Sequence, residues 1–168
     1  YAFIIYSIAV SLRDLGMTMA PQNAFQTLLG LETLSLRMKK HVSNARKIAN
    51  WLEQHPKIDK VTYAGLKSSK YYDLAKSVLP KGAGALFTIS LKEGYEACIK
   101  MINKLNLFSH VSNLGDTRSL IIHPASTVHR QLTEQQQINA GLAPNVIRLS
   151  IGIEDPKDLI DDLKQALE

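Results

Sequence analysis

The order of strand-like and helix-like runs after residue 55 constrains the fold of this chain most strongly. Short runs with strand character lie at 60–63, 84–91, 119–123 and 146–153. Amphipathic runs typical of helices lie between and after them, at 70–79, 95–105, 133–141 and from Pro156 onward, with Thr133 and Asp155 as the N-cap residues of the last two. Strands and helices that alternate in this way form a sheet with helices packed on one face. The sequence therefore predicts an α+β sandwich domain over residues 55–168.

The preceding residues, 1–54, carry helical patterns only. Between residues 2 and 15 the apolar positions recur with helical spacing. From Pro21 onward an apolar residue recurs every three or four positions until Pro56, where a helix must stop. We therefore expect a long helix of about thirty residues ahead of the sandwich.

Composition and charge exclude several classes of protein. Of the 168 residues, 45% are apolar and 21% charged, as in ordinary folded domains. The net charge is +5, but the basic residues are interspersed with acidic ones and no aromatic or groove-reading element lies beside them. We therefore expect no nucleic-acid partner. The apolar opening is shorter than the roughly 20 residues that span a bilayer, so we expect no membrane partner. A single cysteine, Cys98, favours a reducing, cytoplasmic setting and excludes an internal disulfide.

One cation, Arg148, lies within the apolar run at 146–153. The two-residue period of a strand places isoleucines and a leucine on the core face and Arg148 on the other face. An arginine there can be solvated or structurally paired. It can also bind a carboxylate or phosphate, because its planar fork offers two parallel hydrogen bonds. Spacing alone leaves both interpretations open.

Other polar residues give weaker signals. Asn113 lies in the turn-like run 112–119, where its side-chain N–H could bind a carboxylate, although most such runs are only turns. His123 and His129 lack metal-ligand spacing, so their loop is interpreted as a carrier of hydrogen-bonding hydroxyls. Cys98 lies on an apolar helical stripe and is expected to be buried and inert. We predict no metal site and no catalytic residue within this chain.

Four segments taken together carry a family resemblance. They are LRDLG (12–16), PQNAFQTLLGLETLSLRM (21–38), NLGDTRSLIIHPASTVH (113–129) and VIRLSIGIEDPKDLIDDL (146–163). In this order they resemble the C-terminal portion of the pyridoxal-phosphate enzymes of cysteine and methionine metabolism, the cystathionine γ-synthase-like family. The segment that begins at Asn113 looks most like the O-acetylhomoserine sulfhydrylases, which often carry Asn where the lyases tend to carry Ser.

The resemblance implies a fold and two site residues. The fold is the small C-terminal domain of a fold-type-I enzyme, a mostly antiparallel sheet that residues 1–54 would link to the cofactor domain. Arg148 matches the arginine that binds the substrate α-carboxylate, and Asn113 matches the residue beside it. The cofactor lysine and phosphate-binding residues belong upstream of Tyr1, so no cofactor-binding residue is expected here. Val128 departs from the family, which commonly has Thr at this position.

The resemblance also implies an activity. The whole enzyme would be a transferase that converts O-acetylhomoserine and sulfide into homocysteine and acetate with pyridoxal phosphate, as a homo-oligomer, whereas this chain alone would be inactive. Two alternatives stay open. One is a cystathionine or methionine γ-lyase of the same family. The other is a non-catalytic module for amino-acid binding or oligomerisation, in which Arg148 would still bind a carboxylate.

Overall fold

The computed structural model describes all residues from 1 to 168. They form two compact units, Tyr1–Leu36 and Arg37–Glu168, so that most of the last helix before the sheet belongs to the second unit. None of the helices is both long enough and apolar enough to cross a membrane.

The first unit is helical. Its opening run comprises α1 (Ala2–Tyr6), a π-helical stretch (Ser7–Leu12) and α2 (Arg13–Leu15). Gly16 ends this run in the left-handed region at φ +62°, a conformation that glycine adopts without a steric cost. The prediction of a helix over residues 2–15 is thus confirmed, with a π-helical stretch that apolar spacing did not indicate.

The predicted thirty-residue helix is two helices, which corrects the sequence-based expectation. Helix α3 (Pro21–Glu32) ends at Thr33, whose backbone leaves the helical region with φ −100° and ψ 0°. Helix α4 (Leu34–Glu53) then begins at the next residue. A break of one residue leaves the spacing of the apolar side chains almost unchanged, so hydrophobic periodicity could not detect it.

The second unit contains one mixed sheet and several helices. The strands are β1 (Ile58–Thr62), β2 (Leu86–Leu91), β3 (Ser109–His110), β4 (Leu120–Ile122) and β5 (Val146–Ser150). Their spatial order is β1-β2-β5-β4-β3, and every neighbouring pair is antiparallel except the parallel pair β3–β4. The helices besides α4 are α5 (Tyr72–Val78), α6 (Tyr95–Lys104), α7 (Glu134–Asn139) and α8 (Pro156–Leu167).

One face of the sheet forms the hydrophobic core. Inward side chains of the two central strands join a buried cluster with residues of α4, α6 and α8; among them are Ile89, Ile147, Leu149, Ile48, Leu52, Met101, Leu159 and Leu163. Cys98 lies in the same cluster and is fully buried, as expected. Burial raises the pKa of its thiol to about 12, because the charged thiolate loses its hydration.

Helix caps follow the sequence closely. Thr133 caps α7 in a reciprocal capping box with Gln136, and the Asp155 side chain accepts a hydrogen bond from the Lys157 N–H at the start of α8. Pro156 occupies the first turn of α8, where the missing N–H costs nothing.

Candidate functional site

Arg148 lies on β5, in the middle of the sheet. It pairs in register with Thr88 on β2 and with Ile122 on β4. Because its strand neighbours Ile147 and Leu149 are both fully buried in the core, Arg148 points to the opposite face of the sheet, as the strand period predicts. The residue is only half-buried, so a ligand could reach its guanidinium.

The guanidinium of Arg148 has one hydrogen-bond partner in the chain. Its Nη2 atom donates to the backbone carbonyl of Asn113 at 3.4 Å. No carboxylate lies within ion-pair distance of it, since the ion pairs of the chain involve other cations. A guanidinium has five N–H donors. Most of the hydrogen-bonding capacity of Arg148 is therefore available to an anionic ligand.

The structure thus brings the two residues predicted from sequence together. Asn113 is exposed, and its side-chain Oδ1 accepts a hydrogen bond from the Leu114 N–H at 2.9 Å. The side-chain NH₂ group of Asn113 has no acceptor in the chain. It remains able to donate to a ligand beside Arg148.

The turn around Asn113 is held to β5 by a serine. The Ser150 hydroxyl accepts a hydrogen bond from the Gly115 N–H at 3.2 Å. Ser150 lies on the same sheet face as Arg148, two residues along β5, and is buried. Gly115 has φ +75°, which favours glycine at this point of the turn. The two contacts, at Arg148 and Ser150, hold the turn against the sheet face opposite the main core.

The nearby carboxylates are engaged elsewhere. Asp116 forms an ion pair with Arg118 at 3.2 Å and accepts a hydrogen bond from the Arg118 backbone N–H at 3.0 Å. Hydrogen bonds from Arg118 lower the pKa of Asp116, and the pKa of Arg118 is raised by the same contact. This pair leaves Arg148 as a cation without a counter-ion.

The second carboxylate, that of Glu154, joins the turn to the residues after β5. Its oxygens accept hydrogen bonds from the Ser119 N–H at 2.6 Å and from the Ser119 hydroxyl at 3.0 Å. The Ser119 hydroxyl in turn accepts from the Gly152 N–H at 2.8 Å. A side chain at Gly152 would collide with the Thr117 carbonyl and with the Arg118 backbone, so only glycine fits there. We refer to Ser119, Gly152 and Glu154 as the Glu154 cluster.

Two buried polar residues of α4 hydrogen-bond to the backbone that follows β5. The Asn44 amide donates to the carbonyls of Gly152 at 3.1 Å and Glu154 at 2.8 Å. The Nδ1 atom of His41 donates to the Ile151 carbonyl at 2.6 Å, which requires the tautomer with a proton on Nδ1. Neither residue was singled out from the sequence. A signal was present, however, because His41 and Asn44 lie three residues apart on a helix face that is otherwise apolar.

The loop after β4 is built around His123. Its Nε2 atom donates to the Pro144 carbonyl at 2.7 Å, so Nδ1 is the atom that accepts from the Ser126 hydroxyl at 2.9 Å. The Thr127 hydroxyl donates to the His123 carbonyl at 2.7 Å. Burial lowers the pKa of His123, since the charged imidazolium is poorly solvated there. The predicted role of this loop as a carrier of hydrogen-bonding hydroxyls is confirmed, and the hydroxyls bond within the loop.

The chemistry of the residues around Arg148 fits a carboxylate ligand. A guanidinium, an amide and backbone groups can bind and orient an anion, but they include no nucleophile and no proton-transfer pair. No group of three or more His, Cys, Asp or Glu side chains is arranged to hold a metal ion. The donor set therefore fits a group that binds and orients a carboxylate.

Comparison with known proteins places the chain in a family. The profile of the Cys/Met metabolism PLP-dependent enzymes matches residues 4–168. An O-acetyl-L-homoserine sulfhydrylase from Leptospira meyeri is 48% identical over 168 residues, which are 99% of this chain and 38% of that protein. O-acetyl-L-homoserine sulfhydrylase 1 of Thermus thermophilus is 45% identical, with 99% and 39% covered. An L-methionine gamma-lyase from Fusobacterium nucleatum is 42% identical, with 95% and 40% covered.

A solved structure agrees with the sequence matches. A Campylobacter jejuni protein assigned as an O-acetylhomoserine (thiol)-lyase, crystallised with a pyridoxyl-lysine monophosphate, superposes with a TM-score of 0.88 at 48% identity. The match covers 99% of this chain and 39% of that one, so the chain spans about two fifths of the length of the proteins it matches. The chain belongs to the family of pyridoxal-phosphate-dependent enzymes of cysteine and methionine metabolism.

Proposed function

We propose that this chain is the small C-terminal, substrate-binding domain of a fold-type-I transferase that makes homocysteine and acetate from O-acetylhomoserine and sulfide. Arg148 binds the α-carboxylate of the amino-acid substrate, and Asn113 donates to the same group. The observation that carries this proposal is that Arg148 is half-buried on the sheet face opposite the main core and has no counter-ion of its own.

The proposed division of labour follows from the chemistry of the two parts. Pyridoxal phosphate, when bound, stabilises negative charge that develops on the substrate carbon skeleton. Arg148 then contributes binding and orientation, because two parallel hydrogen bonds to a carboxylate fix both its position and its plane. Holding the reacting bond in the correct geometry can supply several kcal/mol of the barrier reduction. Since no lysine of this chain matches the family's cofactor lysine, we expect the chain to be inactive alone.

The choice of a sulfhydrylase over a lyase has two supports. Two of the most similar relatives are O-acetyl-L-homoserine sulfhydrylases, at 48% and 45% identity, whereas the methionine gamma-lyase is 42% identical. Asn113 agrees with the residue that sulfhydrylases often carry at this position. A γ-lyase activity is the second candidate, because the lyase matches nearly as much of this chain.

The proposal includes an arrangement for the whole enzyme. Residues 1–54 form the helical segment that leads to a cofactor domain, although α4 residues from 37 onward pack within the second unit. Large apolar side chains are exposed throughout residues 1–36, for example Phe3 at 84% and Leu28 at 62%. Exposure on this scale favours burial against another surface, and we propose that the cofactor domain and a second copy in a homo-oligomer supply it. We expect the enzyme to work in the cytoplasm.

Steady-state kinetics of the full-length enzyme test the proposal. Homocysteine should form from O-acetylhomoserine and sulfide, and methanethiol release from methionine would instead establish the lyase. Arg148→Ala should raise KM about 100-fold, because two charge-assisted hydrogen bonds are lost, and should leave the visible absorbance of the bound cofactor intact. Arg130→Ala is the matched control, since the exposed side chain of Arg130 forms no hydrogen bond or ion pair in the chain, and its KM should change less than about twofold. An unchanged KM, or loss of the cofactor in Arg148→Ala, contradicts the role of Arg148.

A further inference from the structure

A concave site lies in the second unit, apart from the residues around Arg148. It is a cleft of about 510 Å³ between α4, the turn at 63–65, α5 and the loop at 79–83. None of its lining residues belongs to the Arg148 region, the Glu154 cluster or the His123 loop. Its volume lies within the range of about 300–1,000 Å³ that is typical of small-molecule sites. We refer to it as the basic cleft.

The charged residues of the basic cleft are all cations. They are Lys39, Arg46, Lys76 and Lys81, and no Asp or Glu lines the cleft. None of the four forms an ion pair within the chain. Lys and Arg on protein surfaces are usually interspersed with acids. Four uncompensated cations around one concavity therefore produce a positive potential that favours an anionic ligand.

The walls of the basic cleft are fixed by close packing. Gly82 has φ +121°, and a side chain there would collide with Cγ1 of Val42 on α4. The hydroxyl of Tyr63 donates to the Gly84 carbonyl at 2.8 Å, which ties the same loop to the turn at 63–65. Gly82 thus allows the loop to rest directly against α4. These contacts hold the walls of the cleft in place.

The cleft also offers apolar and hydrogen-bonding surface. Ala75, Leu79, Pro80 and Ala83 line it together with the ring of Tyr72, and the Lys76 ammonium lies 5.1 Å from the centre of that ring. The hydroxyl of Ser43 is half-buried and has no hydrogen-bond partner in the chain. Such a lining suits a ligand with an apolar body and a strongly charged head.

We propose that the basic cleft binds a small organic phosphomonoester. A phosphomonoester carries about 1.5 to 2 negative charges at pH 7 and three acceptor oxygens, which matches several cations better than a single carboxylate does. The apolar walls and the volume call for an organic body, since inorganic phosphate would leave most of the cleft unfilled. This site is independent of the proposed activity, because it shares no residue with the Arg148 region.

Isothermal titration calorimetry of the cofactor-loaded, full-length enzyme with phenyl phosphate tests the proposal. The cofactor occupies its own phosphate site in this form, so that site does not contribute. One phenyl phosphate should bind per chain, and both inorganic phosphate and benzoate should bind about tenfold more weakly. The double variant Arg46→Gln, Lys76→Gln should raise Kd about tenfold through the loss of two exposed charges. The pair Lys39→Gln, Lys81→Gln removes the other two cations and should act in the same way.

Two control variants locate the binding. Lys47→Gln removes an exposed cation of α4 that does not line the cleft, and Arg148→Lys alters the proposed substrate site; both should keep the wild-type Kd. No binding at about 10 mM phenyl phosphate overturns the proposal, since a millimolar site would be filled at that concentration. It is equally overturned if inorganic phosphate binds as tightly, if Lys47→Gln weakens binding as much as the cleft variants do, or if Arg148→Lys abolishes binding.

Discussion

The guanidinium of Arg148 hydrogen-bonds to Asn113 through the backbone carbonyl of that residue, at 3.4 Å, and not through its side chain. The contact joins the centre of the sheet to a turn 35 residues earlier in the chain. It gives the two residues different tasks. The orientation of Arg148 depends on the path of the backbone, whereas the Asn113 amide is left to meet a ligand.

Substitution of Asn113 should therefore affect substrate binding and not stability. In Asn113→Ala the carbonyl that Arg148 uses remains, and one neutral hydrogen bond to the substrate is lost, which corresponds to a rise in KM of about tenfold or less. The unfolding free energy should change by less than about 0.5 kcal/mol, because the side chain is exposed. Steady-state kinetics and urea unfolding of the full-length enzyme measure the two quantities. A loss of stability with unchanged KM would mean that the side chain is structural.

Gly152 should tolerate no side chain. In Gly152→Ala the new methyl group would overlap the Thr117 carbonyl and lie about 2.6 Å from the Arg118 carbonyl carbon, and neither backbone atom can move without disturbing the turn. We expect a loss of about 2 kcal/mol or more, measured by urea unfolding. Lys157→Ala is the control: this exposed side chain in the first turn of α8 forms no hydrogen bond or ion pair, and the helix propensity of alanine should leave stability unchanged or higher. Equal effects of the two changes would contradict the close approach at Gly152.

Cys98 should be chemically inert in the folded enzyme. It is fully buried, and the rise of its thiol pKa to about 12 keeps it protonated near neutral pH, whereas the thiolate is the reactive form. Iodoacetamide at about pH 8 should leave Cys98 unmodified in the native protein and alkylate it in urea. Mass spectrometry of the peptide that contains Cys98 measures the modification. Rapid alkylation without urea would show that the helix opens locally.

The buried His123 should make stability depend on pH. Its pKa is lowered in the folded protein by burial, against a smaller opposing effect from the hydrogen bond to the Pro144 carbonyl. The unfolded chain therefore binds a proton more readily than the folded chain. The contribution of His123 to the free energy of unfolding is present above about pH 6.5, the pKa of histidine in the unfolded chain, and is lost as the pH falls below that value.

Urea unfolding from about pH 7.5 down to pH 5 should detect this loss. In His123→Gln the unfolding free energy should fall less steeply over that range than in the wild-type protein. The comparison of slopes is independent of the constant stability that the substitution itself removes. Identical slopes would exclude His123 as a source of the pH dependence.

Local chemistry predicted much of the fold. Neighbouring residues in the sequence predict that Thr133 and Asp155 cap helices and that the thiol of Cys98 is buried. The structure confirms all three predictions. Strand β3 was missed because two residues, Ser109 and His110, are too few to show alternation. Strand β5 was predicted to continue to 153, but it ends at Ser150, after which the backbone bonds to Ala85 and to Thr117.

The site could be predicted only in part. The two-residue period of a strand predicted which face of the sheet Arg148 lies on. The family resemblance predicted that Arg148 and Asn113 belong to the same site. The contacts that hold the turn could not be inferred from spacing, because the Glu154 cluster joins residues 33 to 35 positions apart and depends on the register of β4 against β5. Likewise the basic cleft gathers cations from α4, α5 and a loop, and no linear pattern marks them as neighbours.

The use of a main-chain carbonyl at position 113 has a consequence for how this site can diversify. Every amino acid carries that carbonyl, so a mutation at 113 changes what the side chain offers to the substrate without removing the hydrogen bond that steadies Arg148. Under the proposed roles, the backbone of residue 113 steadies Arg148, while its side chain adds a separate hydrogen bond to the same carboxylate. Substitutions at position 113 should therefore tune the second contact to the carboxylate while the Arg148 contact persists.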